Sequence, residues 1–284
     1  PSPISFDIGL RSMSQVSQSL LTGPRAAGLT RRTLLAGATV AAGASAFCTC
    51  PCSAKASRVV ESLGCVLTDS DAERLYPGAA GKRQSSTDED SIIARSGDRD
   101  FDRALAQTLA RISDVLQVSP GFAYYDDYDG LNAYATPKVR MNGPDGTVLF
   151  GQGFLKKLRA GREAPEVAVV AVCAHEFGHI LQFKHRLTTT VRNGDSTVKR
   201  TELQADYFSG YFAGRRKKEL PSYPAAVGAL AQYNVGDHSL NSPQHHGTPD
   251  ERGAAFVRGF EAAYHENRSL NDAVEQSIAY ASRL

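Results

Sequence analysis

The sequence lacks a strong excess of charge of either sign. Its 284 residues carry 32 Lys and Arg against 30 Asp and Glu, which gives a formal net charge of +2. Domains that bind nucleic acid or an anionic membrane by charge need a concentrated basic excess, so we expect neither partner. With 42% hydrophobic and 22% charged residues, the composition is that of a globular chain with one sizeable core.

Long hydrophobic runs are also missing at the N-terminal end. Residues 34–47 are apolar and uncharged, but a transmembrane helix needs about 20 such residues. We therefore expect no stable membrane insertion. Arg31 and Arg32 stand just before this run, and adjacent arginines before a weakly hydrophobic core are typical of a twin-arginine export signal. Residues 1–56 are predicted to be that signal, which implies a periplasmic or extracellular protein. The alternative, a buried N-terminal helix, would need a polar face that this stretch lacks.

Paired Cys-x-x-Cys motifs are absent from the five cysteines. The cluster at residues 48–52 has Cys-x-Cys-x-Cys spacing, which is a weak metal-binding pattern. Signal cleavage after Ala46 would keep this cluster and cleavage after Ala56 would remove it, since both sites are of the Ala-x-Ala type. An oxidising compartment would allow a disulfide between Cys65 and Cys173. We favour a buried free thiol at Cys173, because its surroundings are apolar.

The remaining chain divides into a polar segment and a folded domain. Residues 57–99 show no core-forming period, which predicts a linker or a propeptide. The domain is predicted at residues 100–284, beginning with a helix capped by Asp100 or Asp102. Hydrophobic periodicity and turn residues then predict three strands (122–125, 132–136, 147–150), a helical turn (152–158), a polar loop (188–197) and helices at 201–218, 224–233, 249–265 and 270–284.

One apolar segment contains the pattern His-Glu-x-x-His. Residues 167–183 are too long for a strand, and Pro165 suits the first position of a helix, so we predict a buried helix. Residues four apart lie on one face of a helix, so His175 and His179 can bind one metal ion together. Glu176 follows His175 directly and can reach a water on that metal.

A third metal ligand is available further along the chain. Glu202 and Asp206 are again four residues apart, on a second predicted helix. A catalytic zinc site needs three protein ligands and an open position, and Glu202 would complete a His2Glu set. Asp206 is placed to accept the free ring N–H of a ligand histidine. A solvated helix face is the other explanation of the Glu202–Asp206 pair.

These two motifs resemble those of the gluzincin metallopeptidases, in particular the bacterial neutral zinc metallopeptidase group. The stretch 246–252 is similar to the C-terminal pattern of that group. Residues 132–137 and 148–155 are similar to the segment before the active helix in gluzincins of the CAAX-prenyl-protease type. None of the membrane helices of the prenyl-protease type is present in the sequence.

The resemblance implies a fold, a cofactor and an activity. The fold would be α+β and zincin-like, mostly helical with a small sheet before the His-Glu-x-x-His helix. The activity would be a zinc-dependent endopeptidase acting on a polypeptide substrate, with Zn2+ bound by His175, His179 and Glu202, and Glu176 as general base. The edge strand that holds the peptide would lie near residues 147–151.

A loop at residues 236–247 contains three of the seven histidines. Peptide hydrolysis needs a donor for the oxyanion that develops in the transition state, and loops often carry such groups. His246 is the leading candidate, followed by His245, His238 and Tyr233. A capping role or simple exposure is the alternative for each.

The sequence is also compatible with two other function classes. One is another zinc amide hydrolase, for example one directed at the cell wall. The other is a non-catalytic binding protein that keeps the zinc scaffold as structure. An open coordination position would favour an enzyme over the binding protein.

Overall fold

The structure, a computed structural model, describes residues 92–128 and 130–284. The predicted export signal and most of the predicted linker lie outside these residues, as does Cys65. Within them, Ile92 and Ile93 of the predicted linker form a short strand at one edge of the sheet. None of the helices in the described ranges combines the length and apolar character that a membrane crossing requires.

The described residues form a small sheet and a larger set of helices, so the predicted α+β class is confirmed. The elements in chain order are β1 (Ile92–Ile93), α1 (Arg99–Leu116), β2 (Gly121–Tyr125), β3 (Ala133–Thr136), β4 (Thr147–Gly151), α2 (Gln152–Arg159), α3 (Pro165–His185), α4 (Leu187–Arg192), α5 (Lys199–Glu219), α6 (Ala225–Asn234), α7 (Pro249–Tyr264) and α8 (Leu270–Ala281).

The four-stranded sheet is mixed, with the strand order β1-β2-β4-β3. β4 pairs in parallel with β2 and antiparallel with β3. The prediction that residues 147–151 form an edge strand is therefore wrong. Every residue of β4 is buried, as expected for a strand with neighbours on both sides. The edge on that side of the sheet is β3, which packs against α3.

The N-cap of the first helix lies two residues before Asp100, the nearer of the two predicted caps. Asp98 is the N-cap, and its carboxylate accepts a hydrogen bond from the backbone N–H of Phe101 at 3.1 Å. Asp102 instead accepts from the hydroxyl of Tyr124 at 3.0 Å. The cap prediction was wrong because an acidic residue in the first turn and an acidic N-cap look alike in sequence.

The predicted polar loop at residues 188–197 is partly helical. α4 occupies six of the residues after α3, and Leu187 and Val191, four positions apart, are its buried side chains. Two apolar anchors on one face are enough to hold a single short helix against the core. The polar threonines between them masked this pattern.

Three long helices, α3, α5 and α7, form the centre of the domain. α5 packs against α3, and α7 packs along α5. A side chain at Gly210 of α5 would overlap with the carbonyl oxygen of Phe256, and one at Gly259 of α7 would overlap with the carbonyl oxygen of Tyr207. The two backbones are thus in direct contact, which brings the first turns of α7 beside the first turns of α5.

Candidate metal centre

The two predicted motifs meet in the core. His175 and His179 lie on α3, and Glu202 lies on the first turn of α5. The Nε2 atom of His175 is 3.4 Å from Oε2 of Glu202, and that of His179 is 3.4 Å from Oε1. The two Nε2 atoms are 3.1 Å apart. One ligand atom from each residue can therefore reach a single ion, as the sequence predicted.

The ring nitrogens on the far side of the histidines identify their tautomers. Nδ1 of His175 lies 2.7 Å from Oδ1 of Asp206, and a carboxylate can only accept a hydrogen bond. Nδ1 of His179 lies 2.8 Å from Oε1 of Gln182, which is also an acceptor. Both Nδ1 atoms therefore carry the hydrogen, and in each neutral ring Nε2 presents a lone pair.

Three electron-pair donors thus face one another in the interior. The three side chains are at most 1% exposed, and neither carboxylate oxygen of Glu202 has a hydrogen-bond partner among the described residues. Burial opposes ionisation of Glu202, but the electrostatic effect of the adjacent His179 and His175 outweighs it and holds the pKa of the carboxyl well below its usual range. Two imidazoles and a carboxylate that converge in this way are a donor set suited to zinc.

Arg252 supports this arrangement from α7. Its side chain is fully buried, and Nε and Nη2 lie 2.7 and 2.9 Å from the two oxygens of Asp206. Burial raises the pKa of Asp206, but the charge of Arg252, the nearby His175 and their hydrogen bonds outweigh it and lower the pKa overall. The ionised Asp206 carboxylate then orients the His175 ring and keeps the ring hydrogen on Nδ1. Nη2 also lies 3.7 Å from Glu202, beyond hydrogen-bond distance.

The role of Arg252 is not evident from the sequence. Buried arginines are rare, and Arg252 follows a capping box in which the Thr248 hydroxyl accepts from the N–H of Glu251. In sequence, an arginine in the first turns of such a helix is typical of a solvated position. The helix contact at Gly210 and Gly259 is the feature that buries it, and only the structure shows that contact.

Replacing Arg252 with methionine should lower the free energy of unfolding by about 3–5 kcal/mol, because the Asp206 carboxylate would stay buried without its charged partner. Arg258→Met is the matched control on the same helix. Arg258 forms partly exposed ion pairs, and loss of such pairs costs about 0–1 kcal/mol. Urea unfolding of both variants measures the difference. Equal unfolding midpoints would contradict the role given to Arg252.

Glu176 lies one position after His175 on α3 and is fully buried. Burial raises the pKa of the Cys173 thiol, which lies one turn earlier on α3, and the nearby Glu176 carboxylate raises it further. Cys173 is a free and buried thiol, as predicted. Glu176 thus occupies the position that the motif assigns to a general base, on the same helix as the two histidine ligands.

The four candidates for an oxyanion donor differ in their surroundings. His246 is 4% exposed, and burial lowers its pKa although the nearby Glu202 carboxylate acts in the opposite direction. Its backbone N–H donates to Asp237 at 2.9 Å. His245 turns its Nδ1 towards Asp237 at 2.7 Å. His238 is exposed and Tyr233 is half-buried. The next residue, Gly247, lies against Leu203 and Arg252, so the His246 segment runs beside the helices that carry Glu202 and Arg252.

Comparison of the chain with protein-family models, with curated proteins and with solved structures finds no match.

Proposed function

We propose that this chain is a zinc-dependent endopeptidase with a zincin-like fold. His175, His179 and Glu202 would hold the zinc, and Glu176 would act as general base. One observation carries the proposal: two imidazole lone pairs and an ionised carboxylate converge in a buried site. The His-Glu-x-x-His spacing places a further carboxylate directly beside that site.

The roles of the protein groups follow from their chemistry. Zinc, when bound, supplies polarisation of the scissile carbonyl and activation of a water. Glu176 would accept a proton from the attacking water and pass it to the leaving amine. Because burial lowers the pKa of His246, that ring is neutral at neutral pH and can donate one N–H to the developing oxyanion.

An extended peptide substrate would need an edge of the sheet near the metal helix. β3 is the edge strand, it packs against α3, and it is paired only with β4 among the described strands. All four residues of β3 are buried, so a polypeptide substrate would add to this edge by main-chain hydrogen bonds only after the chain that covers it has moved away. In this proposal β3 takes the role that the sequence assigned to residues 147–151.

A second candidate is a non-catalytic protein with a structural zinc. The observation in its favour is the complete burial of the ligand set, since structural zinc sites are closed and catalytic sites keep an open position. Glu176 favours the enzyme, because a structural site has no use for a buried carboxylate one residue from a ligand. A cell-wall amide hydrolase would use the same groups on a different substrate.

Casein digestion by the purified protein distinguishes these functions. The peptidase proposal predicts that digestion stops on treatment with a chelator and returns when zinc is added back. A zinc-loaded protein that leaves casein intact but cleaves peptidoglycan peptides would be the cell-wall enzyme. Zinc binding without either activity would contradict the enzyme proposal and support the structural site.

Export by the twin-arginine route is a separate proposal, based on Arg31 and Arg32 before the apolar run. Replacing both arginines with lysine should leave the uncleaved precursor in the cytoplasm with its metal site intact. In the wild type, mass spectrometry of the exported protein should find an N-terminus near Phe47 or Ser57. Normal export of the double variant would contradict the proposal.

A further inference from the structure

We propose that Gln182, Gln204 and Ser277 act as positioning residues for the metal ligand His179. They form a buried relay of hydrogen bonds from the ring of His179 to α8. This relay fixes the tautomer and the orientation of the His179 ring. The inference rests on the proposed metal site, but not on peptidase activity.

The relay begins at the ring of His179 and ends at the C-terminal helix. Nδ1 of His179 lies 2.8 Å from Oε1 of Gln182, three residues later on α3. Nε2 of Gln182 lies 3.0 Å from Oε1 of Gln204 on α5, and Nε2 of Gln204 lies 2.9 Å from the hydroxyl of Ser277 on α8. All four side chains are at most 1% exposed, so water does not compete for these bonds.

The carbonyl group of Thr201 fixes the orientation of the first amide. It lies 2.7 Å from one terminal atom of the Gln182 side chain. A backbone carbonyl can only accept a hydrogen bond, so the atom facing it must be the amide nitrogen. The oxygen of Gln182 therefore faces His179, and the ring must donate through Nδ1–H.

The hydrogen bonds at the Ser277 end of the relay independently fix the same donor-to-acceptor direction. The hydroxyl of Ser277 lies 2.7 Å from the carbonyl oxygen of Val274, so its single hydrogen is donated there. The hydroxyl must then accept from Gln204, which places the nitrogen of Gln204 towards Ser277 and its oxygen towards Gln182. Two backbone carbonyls on different helices thus impose one polarity on the whole relay.

The two ligand histidines are consequently supported in different ways. Nδ1–H of His175 donates to the charged Asp206–Arg252 pair, whereas that of His179 donates to a neutral amide relay. Loss of a group that orients a metal ligand typically lowers metal affinity 10- to 100-fold. The relay also makes the affinity of a site on α3 and α5 depend on a side chain of α8.

The test uses the full chain and zinc titration against a competing chelator. Gln182→Met keeps the length of the side chain and removes both its acceptor and its donor, so the zinc dissociation constant should rise by about 10- to 100-fold. Ser277→Ala removes one bond at the far end, and a rise of about fivefold is expected, the effect of one ordinary hydrogen bond.

Ser209→Ala is the matched control for Ser277→Ala. Both serines are buried and donate to a backbone carbonyl of a helix, Ser209 to Ala171 at 2.8 Å, but the Ser209 hydroxyl takes no part in the relay. Both variants should lose stability in urea, while Ser209→Ala should leave zinc affinity unchanged. Equal affinities of the Ser277→Ala and Ser209→Ala variants would overturn the link to α8.

The ring tautomer provides a readout that a purely structural role would not move. In 15N–1H spectra of the histidine rings, recorded with and without zinc, His179 should carry its hydrogen on Nδ1. In Gln182→Met this Nδ1–H resonance should shift and exchange faster with water. A hydrogen on Nε2 of His179 in the wild-type protein, or an unchanged resonance and zinc affinity in Gln182→Met, would overturn the relay. A protein that binds zinc with these properties but digests no peptide would refute only the peptidase proposal.

Discussion

Replacing Glu176 with glutamine should leave zinc bound and lower casein hydrolysis by about 10²–10⁴-fold, the usual contribution of a general base. Glutamine keeps the shape of the side chain in its fully buried position but cannot accept a proton from water. Glu176 is also not one of the three residues whose ligand atoms converge. The metal content should therefore be unaffected while the chemical step is lost.

Glu166→Gln is the control for this experiment. Glu166 lies on the first turn of the same helix and is exposed, so its loss should change neither zinc content nor hydrolysis. Initial rates of casein digestion, normalised to bound zinc, measure both variants. Activity of the Glu176→Gln variant within a few-fold of the wild type would show that another group is the base.

Replacing His179 with alanine should abolish stoichiometric zinc binding. The change removes one of three protein ligands and leaves His175 and Glu202 alone in a buried site. It also removes the donor that satisfies Oε1 of Gln182, so a buried acceptor loses its partner. We expect a loss of zinc affinity well beyond the 10- to 100-fold that follows loss of a supporting group.

His185→Ala is the matched control, because His185 lies on the same helix but is exposed at its C-terminal end. Zinc content after gel filtration, measured by mass spectrometry of the metal, compares the two variants. Full zinc content in the His179→Ala variant would exclude the proposed ligand set.

The residues of the proposed ligand set and most of the elements could be predicted from the sequence because local patterns determine them. Helical spacing places His175 near His179 and Glu202 near Asp206 without any knowledge of the fold. The buried aromatic residues of α5 and the capping box of α7 follow from similar short-range rules. In each case the decisive residues lie within about one turn of a helix.

The groups that support the ligands could not be predicted in this way. Gln182, Gln204 and Arg252 have the residue types of solvated positions, and they are buried because α5, α7 and α8 meet around them. Strand order is also a long-range property, so the sequence placed the edge strand at β4 instead of β3. Contacts between distant segments therefore carry the information that the local pattern lacks.

The central claim is that one zinc ion binds between His175, His179 and Glu202. Metal analysis of the mature protein, purified without chelators and compared with protein concentration, tests it most directly. We predict one zinc per chain, which survives gel filtration and is removed by a chelator. A protein that carries no bound zinc and takes up none when zinc is supplied would contradict the site and every function built on it.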